Sequence, residues 1–193
     1  MSPKIIGITG KTGAGKTTLA QDLASVLETT LLCWDDFDSI SQGPDDYVDW
    51  YNRGQNYEEW NYQALAEVLK TLKSNHSMTH PTLNILLNPT KYIFFDAPLG
   101  KLHKQTGQYI DICIHIDVPL DVCLSRRIIR DFKANNKTKD ELIDELEFYL
   151  SQARPLFFDD DLKNNADFII DGMFSTKEQT QKVKRYLITS TRN

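Results

Sequence analysis

The chain has 193 residues, which is enough for one α/β domain with a sizeable buried core and short for two domains. Hydrophobic residues make up 40% and charged residues 25%, and the net charge of −5 argues against a nucleic-acid-binding surface. No apolar run approaches the roughly 18 residues that span a membrane, and the strand-like run close to Met1 predicts no signal peptide. We therefore expect a globular protein that binds neither nucleic acid nor membranes.

The cysteines indicate a reducing compartment. Cys33, Cys113 and Cys123 are odd in number and contain no CxxC pair, which argues against a disulfide framework. Cys33 and Cys113 lie in apolar runs, where cysteine acts as a small buried hydrophobe. We expect a cytoplasmic location.

Apolar runs alternate with amphipathic segments along the chain, which predicts strands alternating with helices. The predicted strands are 4–9, 30–34, 92–96, 110–117 and 167–171, with a minor strand at 83–87. The predicted helices are about 16–28, 58–73, 120–132, 139–153 and 176–189. Five buried strands separated by helices indicate an α/β fold, with a mainly parallel sheet that helices cover on both faces.

In such sheets ligands bind at the carboxyl ends of the strands. That rule places the loop 10–17, Asp35, Asp36 and Asp96 at one edge of the sheet. The segment 35–56 is polar, aromatic and rich in Asp, and its length without a clear period is typical of a functional loop.

The loop after the first strand reads Gly10-Lys11-Thr12-Gly13-Ala14-Gly15-Lys16-Thr17 and matches the P-loop pattern GxxxxGK[ST] in full. Glycines let the main chain curve around a phosphate with its N–H groups inward, and the next helix adds the positive end of its dipole. We expect Lys16 to reach the β- and γ-phosphates and the Thr17 hydroxyl to bind Mg²⁺. A chance match is the alternative, but the preceding strand and the following helix argue against it.

A P-loop alone does not distinguish kinases from GTPases, motor ATPases or transporters. The chain contains no NKxD-type guanine signature. A Ras-type GTPase would also need DxxG after its metal-binding strand, whereas this chain reads Asp96-Ala97-Pro98-Leu99-Gly100, which is one residue too long. These patterns weaken the GTPase hypothesis.

Three carboxylates follow predicted strands at the P-loop edge of the sheet. Asp35 and Asp36 lie where a carboxylate would face the γ-phosphate and orient or deprotonate an acceptor hydroxyl. Either could instead cap a turn or a helix, and the doublet leaves room for one of each role. Asp96 has the position of a Walker-B acid that holds Mg²⁺ through water, with a strand-end cap as the alternative.

Arg126, Arg127 and Arg130 lie on one predicted helix at spacings that make them neighbours. Three cations so close repel one another unless phosphate or acidic side chains relieve the repulsion. They could belong to a lid that closes over ATP and offsets charge on the transferring group. The alternative is a solvated basic face paired with Asp121 and Asp131.

Aromatic side chains cluster in or beside the segment 35–56. They could stack on a base, and packing in a core or lid is the alternative. The residues are Trp34, Tyr47, Trp50, Tyr51, Tyr57 and Trp60. The histidines have no metal-ligand spacing, and we expect His115, in mid-strand, to be structural.

The chain resembles the uridine kinase and nicotinamide riboside kinase group of P-loop kinases over most of its length, with the motifs in the family's order. Residues 10–18 resemble GxxGxGKTT, Trp34-Asp35-Asp36-Phe37 resembles D-[SD]-F-[YF], and Asn56-Tyr57-Glu58-Glu59 is similar to N-[FWY]-D-x-P. Residues 124–131 closely resemble the lid helix RLxRRxxRD, and Arg154-Pro155 and 166–170 resemble RPxF and ADxII.

The resemblance implies a P-loop NTPase three-layer sandwich in one kinase domain over 1–193, with a helical lid at about 124–140 and an acceptor-site insertion at about 35–60. It implies that Asp35 is the catalytic base, acting with Lys16, Arg127 and Arg130. ATP would bind Gly10, Thr12, Gly13, Ala14, Gly15, Lys16, Thr17, Thr18 and Arg126. The acceptor would bind Asp36, Tyr57 and Glu58, with Glu58 on the ribose diol, and Mg²⁺ would bind Thr17, Asp96 and Asp35.

Three departures from the family pattern fall on acceptor and lid elements more than on ATP elements. Asp96-Ala97 replaces Glu-Gly, Trp60 stands where a proline is usual, and Asn135-Asn136-Lys137 replaces RGR. The leading hypothesis is an ATP- and Mg²⁺-dependent kinase of the 5′-hydroxyl of a nucleoside such as uridine or cytidine. The alternatives are a kinase of another metabolite, such as nicotinamide riboside or a pantothenate-like alcohol, and a regulatory ATPase or switch. A homo-oligomer and GTP as the donor stay open.

Overall fold

The computed structural model describes residues 2–135 and 137–190, so Asn136, which falls in the predicted lid, lies outside the described residues. The strands are β1 (Lys4–Thr9), β2 (Thr30–Cys33), β3 (Met78–Thr79), β4 (Leu86–Leu87), β5 (Tyr92–Asp96), β6 (Ile112–Asp117) and β7 (Phe168–Asp171). The helices are α1 (Lys16–Leu27), α2 (Tyr47–Asn52), α3 (Gln63–Lys73), α4 (Lys104–Gly107), α5 (Leu120–Asn135), α6 (Lys139–Phe148), α7 (Asp160–Asn164) and α8 (Thr176–Ser190). Short 3-10 helices occupy Trp34–Ile40, Tyr57–Glu59, Gly100–Leu102 and Arg154–Phe157, and a π turn occupies Tyr149–Ala153.

The main sheet has five strands in the order β2-β5-β1-β6-β7, and every neighbouring pair is parallel. This confirms the predicted α/β fold. Successive residues of a strand point to opposite faces of the sheet. Accordingly, Ile6 and Ile8 share a core with α1 and α8, whereas Ile5 shares the opposite core with α3. Helices therefore cover both faces of the central strand.

The register of the sheet brings three strand ends together. Asp96, the last residue of β5, lies opposite Ile8 of β1 and Cys33 of β2. The P-loop follows β1 and Asp35 follows β2, so both segments leave the sheet beside Asp96. The P-loop, Asp35 and Asp96 therefore lie side by side at the carboxyl edge of the sheet, where the site is predicted.

The largest difference from the predicted elements is in the acceptor-site insertion. The segment 35–56 contains a 3-10 helix and α2, where the sequence indicates no regular element. The helix predicted from 58 begins only at Gln63. Asn61 forms an antiparallel bridge with Gln42, through N–H···O bonds of 2.8 and 3.1 Å, and a backbone held in that bridge does not form part of a helix.

The other differences are at element ends and in short elements. The predicted strand 83–87 is reduced to β4, which pairs antiparallel with β3, a strand that the sequence does not predict. The helix predicted at 139–153 is regular to Phe148 and then widens into the π turn. Helices α4 and α7 have four and five residues, too few for a periodic pattern to reveal. Among the described residues, no helix combines the length and the apolar character needed to cross a membrane.

Candidate active site

The P-loop connects β1 to the first residue of α1, Lys16. Gly13 and Gly15 have φ angles of +89° and +100°, which residues with a side chain rarely adopt. A Cβ at Gly13 would approach the Cys123 carbonyl oxygen to well under 3.0 Å, whereas a Cβ at Gly15 would meet no atom within 4 Å. Gly13 thus lets the loop pack against α5, and Gly15 faces open space at the start of α1.

A cleft of about 990 Å³ lies in front of the P-loop. We call it the first cleft. Its lining brings together most of the residues predicted for ATP, namely Thr12, Gly13, Ala14, Gly15, Lys16, Thr17, Thr18 and Arg126. Asp35, Asp96 and Arg130 line the same cleft, whereas Gly10 lines a second cleft described below. Residues from four segments of the chain that are far apart in sequence therefore meet at one surface.

Thr17 and Asp96, two of the three predicted Mg²⁺ ligands, are in direct contact. Thr17 Oγ1 donates to Asp96 Oδ2 over 2.5 Å. Asp96 is only 6% exposed, and its Oδ1 atom has no hydrogen-bond partner among the described residues. Burial raises the pKa of the Asp96 carboxyl above its ordinary value, and Lys16 and Thr17 offset part of this shift.

A buried carboxylate oxygen without a partner, next to a hydroxyl, is a donor set that fits Mg²⁺. The part of the chain that the structure describes contains no group of three or more His, Cys, Asp or Glu side chains that could hold a metal. Mg²⁺ usually keeps several waters and binds one or two carboxylates plus substrate phosphates. Thr17 and Asp96 therefore suit an ion that is held mainly by water and phosphate oxygens.

Lys16 lies between the P-loop and these carboxylates. Its Nζ donates to the Lys11 carbonyl oxygen over 3.3 Å. Burial lowers the pKa of Lys16, while the carboxylates of Asp96 and Asp35 act in the opposite direction. The Lys16 ammonium is therefore close enough to both carboxylates for charge coupling.

The structure separates the two carboxylates of the Asp35-Asp36 doublet. Asp35 is exposed and lines the first cleft. The Asp36 carbonyl accepts a 2.8 Å bond from the Thr82 hydroxyl. Burial lowers the pKa of His80, and the Asp36 carboxylate offsets part of this shift. Asp35 thus faces the P-loop, and Asp36 faces the β3–β4 hairpin.

The three arginines of α5 all have protein partners. Arg126 and Arg130 line the first cleft, and Arg127 and Arg130 line the second. The contacts are Arg126 Nη2 to the Gly172 carbonyl at 3.4 Å, Arg127 Nη2 to Glu145 at 2.8 Å and Arg130 Nε to Asp131 at 2.8 Å. Acidic side chains therefore relieve the repulsion between Arg127 and Arg130, and all three arginines still border a cleft.

The second cleft, of about 760 Å³, lies beside the first. Its aromatic lining consists of Tyr47, Trp50, Tyr51, Tyr57, Trp60, Phe157 and Phe158. Thr12, Lys16, Pro98 and Arg130 line both clefts. The two clefts therefore meet at the P-loop, on the side of Lys16 and Arg130.

The predicted aromatic cluster divides into two groups. Trp34 is buried in the core, with its ring centroid 3.9 Å from that of Tyr62. Trp60 contacts Tyr47 at 5.3 Å and Trp50 at 5.9 Å between ring centroids, and these three rings line the second cleft. Core packing thus explains Trp34, and the other rings form a cleft wall.

Glu58 lies apart from the other predicted site residues. Its side chain is 75% exposed and its nearest cation is Lys104, at 3.8 Å. Among the described residues that line the second cleft, the neighbouring Tyr57 is present and Glu58 is absent. The structure therefore does not bring Glu58 together with Asp35 and Lys16.

Sequence reasoning missed the loop that follows β7. The first cleft is also lined by Gly172, Met173, Phe174 and Ser175 of this loop and by Thr176 and Gln179 of α8. Arg126, which donates to the Gly172 carbonyl, joins this loop to α5. Its position could have indicated it, because this loop also follows a strand at the carboxyl edge of the parallel sheet, where ligands bind.

The sheet order, the complete P-loop and the two adjoining clefts define a P-loop kinase fold. A shikimate kinase from Acinetobacter baumannii aligns with a TM-score of 0.52 and 13% identity, over 97% of this chain and 94% of that chain. A protein described as a possible uridine kinase from Bacillus stearothermophilus aligns with a TM-score of 0.51 and 19% identity, over 89% and 90%. At these identities the likeness concerns the fold alone.

A model of the phosphoribulokinase / uridine kinase family matches residues 5–178. The chain belongs to this family, which confirms the resemblance predicted from the motifs. A uridine kinase from Chlamydia pneumoniae is 26% identical over 206 residues, covering 95% of this chain and 90% of that protein. The family establishes a kinase and phosphotransferase of the P-loop class, which generally uses ATP and Mg²⁺.

Proposed function

We propose that this protein transfers the γ-phosphate of ATP to the 5′-hydroxyl of a nucleoside. The main supporting observation is that the P-loop cleft and an aromatic-lined cleft meet at Lys16 and Arg130. The triphosphate would occupy the first cleft, and a flat base would stack in the second. The uridine kinase relative from Chlamydia pneumoniae supports a nucleoside as the acceptor.

The phosphate end of ATP would bind the P-loop amides and Lys16. Thr17 and Asp96 would hold Mg²⁺, which when bound neutralises charge on the β- and γ-phosphates. Met173 and Phe174, which line the same cleft as Arg126, offer apolar surface for the adenine. This arrangement directs the γ-phosphate toward the junction of the two clefts.

Asp35 is the proposed base. It lies in the first cleft, and its charge acts on both Lys16 and Asp96, so it is near the site of transfer. Its carboxylate would orient the acceptor hydroxyl and accept its proton. Arg127 and Arg130 would leave Glu145 and Asp131 to offset charge on the transferring group.

The acceptor would rest on Tyr57 and the neighbouring rings of the second cleft. For Glu58 to bind the ribose diol, the segment around Tyr57–Glu59 must move, because the Glu58 side chain is largely in solvent. A role of Asp36 in acceptor binding likewise needs its carboxylate to turn from the hairpin toward the cleft. Closure over the acceptor would supply both movements.

One observation favours a second candidate acceptor. Asp160 and Asp161 line the second cleft together with its aromatic rings. Aromatic faces near carboxylates attract cations, so a ribosyl pyridinium such as nicotinamide riboside would suit this lining better than a neutral pyrimidine. The acceptor panel described next includes both kinds.

The test is ADP release from Mg-ATP against a panel of nucleosides and ribosides. We expect strong stimulation by uridine, cytidine or nicotinamide riboside. Asp35→Asn should reduce the stimulated rate by roughly 10²- to 10⁴-fold, the usual contribution of a general base. Its Kd for Mg-ATP should stay within a few-fold of wild type, because the P-loop is unchanged.

The matched control is Asp45→Asn, which removes an exposed aspartate of the same insertion and should keep the wild-type rate. Slow hydrolysis that no acceptor stimulates would reject the nucleoside kinase and favour a regulatory ATPase. Loss of nucleotide binding in Asp35→Asn would instead make Asp35 a metal-binding or structural residue.

A further inference from the structure

The P-loop contains a second lysine, Lys11, which does not line the first cleft although its neighbour Thr12 does. Lys11 Nζ lies 2.5 Å from Asp159 Oδ1. The Lys11 and Asp159 side chains are only 11% and 7% exposed. A lysine paired with a buried carboxylate is not available as a phosphate ligand, so its place in the P-loop needs another explanation.

Asp159 also contacts the sheet. Its Oδ2 atom lies 3.2 Å from Nε2 of His115, a fully buried residue of β6, although the geometry of this contact is not that of a hydrogen bond. Burial by itself raises the pKa of Asp159, but the contacts with His115 and Lys11 outweigh burial and lower it below its ordinary value. The carboxylate is therefore ionised at neutral pH and forms a true ion pair with the lysine.

The Lys11–Asp159 pair joins the P-loop to the wall of the second cleft. The Lys11 carbonyl accepts bonds from the Ala14 N–H at 3.0 Å and from Lys16 Nζ at 3.3 Å. The Asp159 carbonyl accepts the Lys163 N–H at 2.9 Å, which fixes it at the start of α7. Residues 156–162 line the second cleft. The phosphate loop and the cleft wall are thus connected through one buried contact.

We propose that Lys11 and Asp159, supported by His115, are positioning residues that hold the P-loop main chain and Lys16 in register with the second cleft. The effect on the acceptor rests on the proposed function, whereas the effect on nucleotide binding does not. Buried ion pairs add little net stability, because desolvation offsets their attraction. Their geometry is nevertheless specific, so such a pair is better suited to aligning the P-loop with the second cleft than to stabilising the fold.

The test is a double-mutant cycle of Lys11→Met and Asp159→Asn, with Lys11→Arg as the conservative variant. The measurements are the Kd of Mg-ADP without acceptor and the kcat and KM with the best acceptor. Each variant is assayed well below its own melting temperature. The control is Lys73→Met, which breaks the 2.8 Å Lys73–Asp111 pair elsewhere in the fold.

We expect each single change to raise the Kd of Mg-ADP and to lower kcat, each by about tenfold, the size of coupling seen within one ion-pair network. The double variant should show a loss close to that of one single variant and no larger, because the positioning contact is already broken and the second change removes the remaining unpaired charge. Lys11→Arg should restore most of the affinity, and Lys73→Met should not change it.

Wild-type Kd and kcat in the folded single variants would overturn the proposal. Independent losses that add up in the double variant would overturn it as well. If Lys11→Met does not fold, the double variant, which has no unpaired buried charge, decides the question by the same Kd. If no acceptor stimulates wild type, the proposed function fails, and the Kd cycle still tests the positioning role.

Discussion

Alanine substitutions at two P-loop glycines should distinguish a glycine that the fold requires for stability from a glycine that nucleotide binding requires. Gly15→Ala adds only the strain of a positive φ, about 1–2 kcal/mol, because no atom lies within 4 Å of the new Cβ. Gly13→Ala adds the same strain plus overlap with the Cys123 carbonyl oxygen, about 1–3 kcal/mol more. We expect Gly15→Ala to lower the free energy of unfolding by about 1–2 kcal/mol and Gly13→Ala to lower it by roughly 2–5 kcal/mol.

The assay is thermal unfolding of the nucleotide-free protein, followed by titration with Mg-ADP. For a chain of this size each kcal/mol lowers Tm by roughly 2–4 °C, so Gly15→Ala should lose about 2–8 °C and Gly13→Ala about 4–20 °C. Gly15→Ala should lose nucleotide affinity out of proportion to its small Tm change, since its methyl group enters the open space before the P-loop. Equal Tm losses, or a larger loss in Gly15→Ala, would refute the reasoning.

Two further predictions concern Asp96 and Glu145. Because burial raises the pKa of Asp96, its ionisation destabilises the fold as the pH rises through that pKa. Asp96→Asn should therefore melt higher than wild type at pH 7 in the absence of nucleotide while losing Mg²⁺-dependent turnover, and a lower Tm would contradict this sign. In wild type, the acid limb of the kcat/KM profile for Mg-ATP, which reports groups of the free enzyme, should lie above the ordinary Asp pKa of about 3.9 if Asp96 must be ionised to bind the metal. Glu145→Gln should weaken the 2.8 Å Arg127–Glu145 pair while the 3.6 Å contact of Arg127 with Asp131 stays. We expect Mg-ATP affinity to rise by up to about fivefold, the worth of a partly exposed ion pair of 0.2–1 kcal/mol. Weaker ATP binding by calorimetry would show that the pair organises the lid instead.

The sheet and the P-loop could be predicted because local sequence determines them. A run such as 92–95 is apolar throughout only if both faces of its strand are covered. Gly10 to Thr17 form one uninterrupted pattern, so the loop can be identified without knowing what it packs against. The family resemblance depended on this loop and on further short motifs along the chain, such as the lid helix at 124–131, and the family match confirmed it.

The acceptor-site insertion was harder to predict. Its helix α2 has six residues, and its 3-10 helix has no 3.6-residue period, so neither leaves an amphipathic pattern. The delayed start of α3 depends on the bridge between Gln42 and Asn61, whose partners are separated by most of the insertion. Pairing at that distance has no local sequence signal.

The sequence by itself determined the fold class, the P-loop and the presence of acidic and basic residues at the carboxyl edge of the sheet. Neighbouring residues determine strand and helix periodicity, so those features can be predicted without knowledge of the packing. The family resemblance had already given the role of base to Asp35 rather than Asp36. Only the tertiary structure decided that Glu58 lies in solvent and that Lys11 meets Asp159. These contacts depend on strand register and helix packing, which bring together residues with no spacing relationship along the chain.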